Sequence, residues 1–370
     1  MRAIVVGVGI LGASAAYHLA RQGAEVVAVD RADQGRATDA GAGIVCPWGS
    51  AHEDAPSYAL LEAGARYYPE LAAALAEEGE PDLGYARVGG LYVPAAGADL
   101  EAAEARVRAR AARAPEAGRI ERLSSGEARA LFPPLAPDRP GLLVSGGARV
   151  DGRRVAAALR RAAAARGARL VEGAAELVVR GARAVGVRVG GEMIEADCVL
   201  ATAGAWAGEL LAPAGIRLAQ SPQRGQIIHL RQPGTDTSRW PVLLPLSSYY
   251  LLAFEDSRVV VGATRETGSG FDYRLTAAGV AEVLGAGLAV APGLAHWTPA
   301  EMRIGFRPLS ADGRPLLGPV PGMDGLLVGG GLGPSGLAMG PYAGALLAAA
   351  ALGRPTALPL ADYAPLRGQA

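Results

Sequence analysis

Three observations predict an α/β fold, α+β overall, for this 370-residue chain. It opens with Ile4-Val5-Val6-Gly7-Val8-Gly9-Ile10-Leu11-Gly12 and reaches Val26-Val27-Ala28-Val29-Asp30. This reads as a buried strand, a Gly-x-Gly-x-x-Gly turn, a helix and a second buried strand ending in an acid. A strand-helix rhythm resumes near 155–204 and again, glycine-rich, at 325–352. Between them, short alternating runs at 226–230, 249–254 and 259–262 have the pattern of an antiparallel sheet. Together they describe a Rossmann-type dinucleotide-binding domain interrupted by an antiparallel-sheet substrate domain. The expected division is 1–86, 142–214 and 308–370 for the first domain, and 87–141 and 215–307 for the second. A cleft between two such domains is a usual place for a ligand.

Each part of the opening motif has a physical task. Gly7 allows the tight turn, Gly9 lets the backbone approach a pyrophosphate, and Gly12 lets helix and strand pack closely. The helix N-terminus presents unpaired N–H groups and the positive end of a dipole to phosphates. Asp30, roughly 20 residues beyond the glycines, can accept hydrogen bonds from a ribose. Arg31 beside it could suggest a 2′-phosphate, which the Asp30 carboxylate would repel.

Further along, Thr38-Asp39-Ala40-Gly41-Ala42-Gly43-Ile44-Val45 crowds small residues where a backbone can approach a flat ligand; a plain glycine-alanine turn is the other reading. Leu60, Leu61, Ala65, Tyr68, Leu71 and Leu75 set a helix over 58–78. A strand is expected at 88–93, a solvated alanine-arginine helix at 98–113 and a proline-rich loop at 132–137. Then come a helix over 155–166, a strand at 169–171, a hairpin from 177–179 and 184–189, and a strand at 197–204. Another helix covers 277–291. The apolar stretch 337–352 is interrupted by Gly340, Pro341 and Gly344 and is shorter than a bilayer span, so it reads as a buried helix.

Composition removes several chemistries. Half the residues are hydrophobic and the formal net charge is zero, with arginines spread along the chain rather than in a basic stripe, which argues against a nucleic-acid surface. The chain contains no lysine, so it offers neither a lysine Schiff base nor a lysine phosphate loop. It contains no asparagine, hence no N-glycosylation acceptor. Cys46 and Cys198 lie far apart, and His18, His52, His229 and His296 form no ligand pair, so no metal site and no disulfide framework is expected. Met1-Arg2 leads straight into the first strand without a secretory signal, and the expectation is a soluble, cytoplasmic protein with no integral membrane segment.

Taken in order, these motifs resemble the D-amino-acid oxidase family of flavoproteins, particularly the branch of glycine oxidase, sarcosine oxidase and bacterial D-amino-acid dehydrogenase. The resemblance rests on the 7–12 turn with Asp30, the 38–47 loop and Ala203-Gly204-Ala205-Trp206. It continues through Arg224-Gly225-Gln226, Val260-Val261-Gly262-Ala263-Thr264, Gly305-Phe306-Arg307-Pro308, Asp312-Gly313-Arg314-Pro315 and Gly331-Leu332-Gly333-Pro334-Ser335-Gly336. It implies a non-covalent FAD, because no cysteine lies near 307–319 and no histidine in 38–43. By position Gly7, Gly9, Ile10, Leu11 and Gly12 would meet the pyrophosphate, Asp30 and Arg31 the ribose end, and Ala175 the adenine. Thr38, Gly41, Ala42, Gly43 and Ile44 would line the flavin, with Ala203, Gly204 and Trp206 close by. Gly331, Gly333, Pro334, Ser335, Gly336 and Leu337 would bring a helix N-terminus to the flavin edge that turns anionic on reduction.

The family's carboxylate-binding arginine corresponds to Arg307, whose guanidinium can grip a carboxylate through two parallel N–H bonds. A salt bridge within the protein is the rival reading. Tyr250 or Tyr249 falls where glycine-oxidase-like members place a tyrosine on the same carboxylate. In a strand only one of the two can face the cleft, and core packing competes for either. The Leu251-Leu252-Ala253-Phe254 that follows departs from the family pattern. Tyr92 and Trp48 are weaker pocket candidates. The implied reaction is oxidation of a small amino acid (a D-amino acid, glycine or an N-alkyl glycine) by hydride transfer from Cα to flavin N5, giving an imino acid. Oxygen or a quinone-type carrier would take the electrons, and the absence of lysine leans towards the carrier. A proline or hydroxyproline dehydrogenase and a flavin-carrying accessory subunit are the alternatives.

Overall fold

The computed structural model describes residues 1–52, 54–95 and 99–368. Among them, a six-stranded sheet runs in the order Leu316–Pro319, Leu326–Gly330, Cys198–Ala201, Arg2–Val6, Glu25–Asp30, Arg169–Glu172. Its pairings are parallel except at the Leu316–Pro319 edge. The central strands are covered on both faces, which is why they read as unbroken apolar runs. Ala3, Val5, Val26 and Ala28 pack with the helices Ile10–Arg21, Gly152–Ala165 and Gly336–Ala351. Ile4, Val6, Val27 and Val29 pack under Ala184 and Val187 of a three-stranded antiparallel sheet, Ala175–Arg180, Arg183–Val189 and Glu192–Glu195.

Several helices begin where the sequence places capping acids and hydroxyls. Asp151 accepts from the N–H groups of Arg153 and Arg154, Asp54 from Ser57 at the start of Ala55–Glu77, and Thr276 from Gly279 at the start of Ala277–Val290. Helix Gly336–Ala351 lies against Ile10–Arg21 along a seam of small residues. A Cβ on Gly344 would come within 2.5 Å of the Leu11 carbonyl oxygen and 2.6 Å of Ser14 Cβ. Ser14 Oγ donates across the seam to the Pro341 carbonyl at 2.5 Å.

The larger sheet has nine strands among the described residues and is mostly antiparallel. The long strand Gln220–Arg231 pairs with Arg258–Gly262 on one side and with Thr298–Ser310 on the other. Tyr250–Phe254, Val242–Pro245, Gly90–Val93, Gly141–Val144 and Ile120–Leu123 extend it in turn. Helix Ala277–Val290 covers one face through Val283 and Val290, against Ile228, Leu230, Val259 and Val261. Gly141–Val144 hydrogen-bonds into this sheet, and Thr298–Ser310 runs through position 307.

Some local expectations differ from the structure. The alanine-arginine helix spans only Leu100–Ala111; it lies at the surface as expected and buries just Leu100, Ala103 and Val107 along one face, and position 98 is outside the described residues. The small-residue stretch forms a short helix, Ala37–Ala40, and a two-residue strand, Ile44–Val45. Helix Gly336–Ala351 is buried over most of its length, and no described helix is long and apolar enough to cross a membrane.

Candidate active site

An elongated cavity lies between the two large sheets. At one end stand Asp30, Arg31 and Ala175, joined by Gly173, Ala174 and Glu209. Asp30 Oδ2 accepts from the Val8 N–H at 2.6 Å and Oδ1 from the Ala32 N–H at 2.7 Å, so the acid first secures the turn beneath it. Arg36 approaches Asp30 Oδ1 at 3.3 Å and Asp39 at 2.8 Å. The Arg31 guanidinium is taken by Asp33 at 2.8 Å and by Glu209 at 3.3 Å, across the mouth of this end.

The middle of the cavity is backbone. Gly7, Gly9, Ile10 and Leu11 line it, and Gly9 caps helix Ile10–Arg21 without any side-chain hydrogen bond. Gly7 has φ +90°, a conformation side chains disfavour, and a Cβ there would lie 2.5 Å from Ala203 Cα. Thr38 Oγ1 accepts from the Ile10 N–H at 2.9 Å. Ala203, Gly204 and Trp206 form the opposite wall. A Cβ on Gly204 would meet no atom within 4 Å, because it would stand in the cavity itself. The cradle therefore offers bare backbone along its middle to an extended ligand.

Gly41, Ala42, Gly43 and Ile44 continue the wall towards the other end and meet Gly333, Pro334, Ser335, Gly336 and Leu337. Helix Gly336–Ala351 starts there with Ser335 as a cap that makes no side-chain cap bond. Ser335 Oγ instead pairs with His52 Nε2 at 3.1 Å, and burial, helped by Arg110, lowers the His52 pKa. Tyr68 donates its hydroxyl hydrogen to the Leu337 carbonyl, tying this loop to helix Ala55–Glu77. Two of the glycine candidates do not line the cavity. Gly12 packs against the Gly7 carbonyl and Thr202, serving helix-strand contact, and Gly331 faces Leu316.

Arg307 and Tyr250 close the far end. Arg307 Nη1 donates to the Thr264 carbonyl at 3.0 Å and to Gln223 Oε1 at 3.4 Å, and among the described residues no carboxylate pairs with it. Burial lowers its pKa, and neighbouring Arg265 adds to that. Burial raises the Tyr250 pKa, with Arg307 and Arg265 pulling the other way, so the phenol remains a neutral donor. Two glycines make room for this pair. A Cβ on Gly225 would lie 2.6 Å from Arg307 Cζ, and one on Gly262 2.6 Å from the Tyr250 hydroxyl. Tyr249, just before the strand Tyr250–Phe254, points elsewhere: its hydroxyl donates to Glu282 at 2.7 Å. Tyr92 and Trp48 are buried in a separate core cluster with Cys46. Both cysteines are free and buried, which pushes Cys46 up to about 11 and Cys198 to about 12.

Sequence reading missed Arg265, Arg36, Glu209 and the steric purpose of Gly225 and Gly262. Arg265 follows the quoted 260–264 motif directly, but one arginine among 36 basic residues carries no local signal.

Comparisons with known proteins agree with this architecture. The model of the DAO family, described as FAD dependent oxidoreductase, matches residues 2–350. The chain is 34% identical over 372 residues to the glycine oxidase of Pseudomonas aeruginosa, covering 98% of each. It is 47% identical over 363 residues to the uncharacterized oxidoreductase YurR of Bacillus subtilis, again covering 98% of each. Among solved structures, iminodiacetate oxidase from Chelativorans sp. BNC1 superposes with a TM-score of 0.96 at 53% identity, over 98% of this chain and 99% of that one. With its glycine-lined cradle between a parallel and an antiparallel sheet, the chain belongs to the DAO family of FAD-dependent oxidoreductases.

Proposed function

We propose that this enzyme oxidises the Cα–N bond of a small amino acid, glycine or an N-substituted glycine before a larger D-amino acid, to the imino acid. The observation that carries this reading is Arg307, a largely buried guanidinium with no carboxylate partner among the described residues, beside the Tyr250 hydroxyl. Burying an unpaired cation is costly, and an anionic substrate offsets that cost each time it binds. The names of the relatives point the same way: glycine oxidase at 34% identity and iminodiacetate oxidase at 53%.

The residues present fit FAD, whose ring supplies the two-electron acceptor when bound. Asp30 would hold the ribose, the first turn of helix Ile10–Arg21 the pyrophosphate, and Gly41 to Ile44 with Ser335 to Leu337 the ring. Arg307 would hold the substrate carboxylate bidentately, and Tyr250 would donate a third hydrogen bond to it, fixing which face of Cα is presented. Among the described residues no carboxylate is free to serve as a base there: Glu266 is engaged by Arg224 at 2.6 Å, Gln226 at 2.7 Å and Thr264 at 2.6 Å. The amine therefore reacts in its neutral form, which the positive charge of Arg307 and Arg265 favours over the ammonium. Oxygen as the final acceptor accords with the oxidase names of the relatives.

The test is anaerobic mixing of the yellow holoenzyme with glycine, N-methylglycine, iminodiacetate, D-alanine and proline. Bleaching of the flavin by the glycine-type donors is expected, and air should restore the colour. No bleaching by any of them would overturn the reading.

A further inference from the structure

We propose that His52 is a positioning residue for the cofactor ring. Through Ser335 it sets whether the hydroxyl at the start of helix Gly336–Ala351 gives or withholds a hydrogen bond at the ring edge, and it thereby couples reduction of the ring to uptake of one proton. This rests on the reading above in placing Ser335 to Leu337 at the ring, and it is independent of which amine is oxidised.

Ser335 lines the cavity, and its Oγ lies 3.1 Å from His52 Nε2. A serine hydroxyl has one hydrogen and two lone pairs. When Nε2 is unprotonated it accepts that hydrogen, and the cavity meets a lone pair. When Nε2 carries a proton, as it must in the imidazolium, it donates to Oγ and frees the hydroxyl hydrogen for the cavity. The helix gives this hydroxyl no competing task, because Ser335 caps it without a side-chain cap bond. The loop that carries the histidine is fixed by Arg110 on helix Leu100–Ala111. Its guanidinium donates to the carbonyls of Trp48 at 3.3 Å, Ser50 at 2.6 Å and His52 at 2.8 Å, and lies 4.0 Å from the centre of the Tyr58 ring.

Among the described residues, the charged groups that act on His52 are Arg110 and Asp54. Arg110 turns its N–H groups to carbonyls, which leaves its positive charge beside the imidazole. Asp54 is engaged by Arg314 at 2.5 Å and by the Ser57 N–H at 2.9 Å. Burial first, and then Arg110, hold the imidazole neutral by keeping its pKa below the usual 6.5. A negative charge arising at the ring edge reverses that balance. It attracts a proton to His52 and is stabilised by the hydroxyl hydrogen which that proton sets free. Two electrons and one proton reach the ring as the hydride, and the second proton is the one His52 takes. His52 is half-buried, so this proton comes from solvent and returns there when the electrons leave. The coupling is reciprocal: the factor by which reduction raises the proton affinity of His52 is the factor by which protonation favours reduction.

The experiment uses the holoenzyme without any amine: the midpoint potential is measured from pH 5 to 9 by equilibrium reduction with dithionite against a redox dye. At high pH one proton should accompany two electrons. Between the pKa values of His52 in the reduced and the oxidised enzyme the number should rise to two, which bends the plot of potential against pH. Across the bend the reduction equilibrium constant should gain about tenfold over the one-proton line, an ordinary size for two coupled sites. His52→Gln keeps a hydrogen-bond partner for Ser335 but takes up no proton, and should follow the one-proton line throughout with flavin content unchanged. Ser335→Ala keeps the histidine and should lose most of the gain. A bend that survives His52→Gln would place the proton on another group and overturn the proposal. So would a wild type without a bend, or a full bend in Ser335→Ala. If His52→Gln does not retain FAD, Arg110→Gln takes its place: removing that charge should move the bend to higher pH, and an unmoved bend overturns the proposal. An intact bend beside an amine panel that bleaches nothing would sink the substrate reading alone.

Discussion

Gly225 lies beneath the guanidinium of Arg307, so closely that a Cβ at 225 would sit 2.5 Å from Nη2 and 2.6 Å from Cζ. The two residues are on neighbouring strands, Gln220–Arg231 and Thr298–Ser310, with Gly225 opposite Gly305 and Arg307 opposite Gln223. A methyl group at 225 must tilt the guanidinium off the strand. Gly225→Ala should lower kcat/KM for the best amine substrate by about tenfold to a hundredfold, because small displacements of an aligning group are expensive. Flavin content and melting temperature should hardly change. Stopped-flow flavin reduction beside a thermal melt checks both halves.

Removing the guanidinium altogether should cost more. Arg307→Ala is expected to raise the apparent substrate constant about a hundredfold, ~3 kcal/mol of lost charge-assisted hydrogen bonding. Arg307→Lys should recover only part of this, since an ammonium has no planar fork. Reductive half-reaction titrations measure it. Loss of flavin from either variant would assign Arg307 to the scaffold.

Tyr249 and Tyr250 provide an internal control. Tyr249→Phe removes only a hydroxyl paired with Glu282 on helix Ala277–Val290, and should change stability by under about 0.5 kcal/mol with turnover intact. Tyr250→Phe, in the cavity, should raise the substrate constant about tenfold to a hundredfold, the worth of one hydrogen bond to a charge. Steady-state kinetics on the pair decides which of the two meets substrate.

Asp30 both anchors the glycine turn, through Val8 and Ala32, and faces the cavity. Asp30→Ala should weaken FAD binding by about a hundredfold or more, from lost hydrogen bonds to a charged group and a loosened turn. Fluorescence titration of the apoprotein with FAD reads this directly.

Stability should fall between neutral and mildly acidic pH. Burial, with Arg21 adding, holds His18 down to about 4, and burial with Arg303 and Arg258 holds His229 down to about 3. In the unfolded chain both titrate at the usual 6.5. Below that value the unfolded state binds protons that the folded state refuses. Their contribution is whole above pH 6.5 and declines as pH falls towards the folded values, by about 2 kcal/mol per histidine from pH 7 to 5. Melting temperatures from pH 7.5 to 5 should show the slope, and His18→Gln, which keeps a partner for the Tyr67 hydroxyl (2.8 Å from His18 Nε2), should flatten it.

The dinucleotide half of the cavity was legible in the chain because its wall is mostly main chain, and main-chain geometry is written in glycines a few residues apart. Gly7, Gly9, Asp30, Gly43 and Ser335 all stand at the cavity wall. The substrate half depends on side chains brought together by pairing between distant strands, and local spacing says little about that. Arg265 reaches the site only because Glu266–Thr267 pairs with Gln223–Arg224. The long strand Thr298–Ser310 was hidden by Pro299 and Pro308, which argue against a central strand. They are tolerated because the full pairing, with Gln220–Arg231, is on one side, while the other edge carries only an isolated bridge between Phe306 and Arg36 that asks nothing of either proline. Gly12 and Gly331 fit their motifs but serve packing, since a motif does not say which of its glycines meets ligand and which meets protein.

The seam between Ile10–Arg21 and Gly336–Ala351 gives the cavity a fixed span. One helix begins where phosphates would lie and the other where the ring would lie, and Gly344 with the Ser14–Pro341 hydrogen bond locks them together. The two helix ends therefore act as the jaws of a calliper whose opening is set in the core, far from solvent. A flavin truncated at its first phosphate would set its ring at one jaw and its phosphate at the other, yet leave the Asp30 end beyond them untouched, so cofactor length would be read past the jaws, at Asp30.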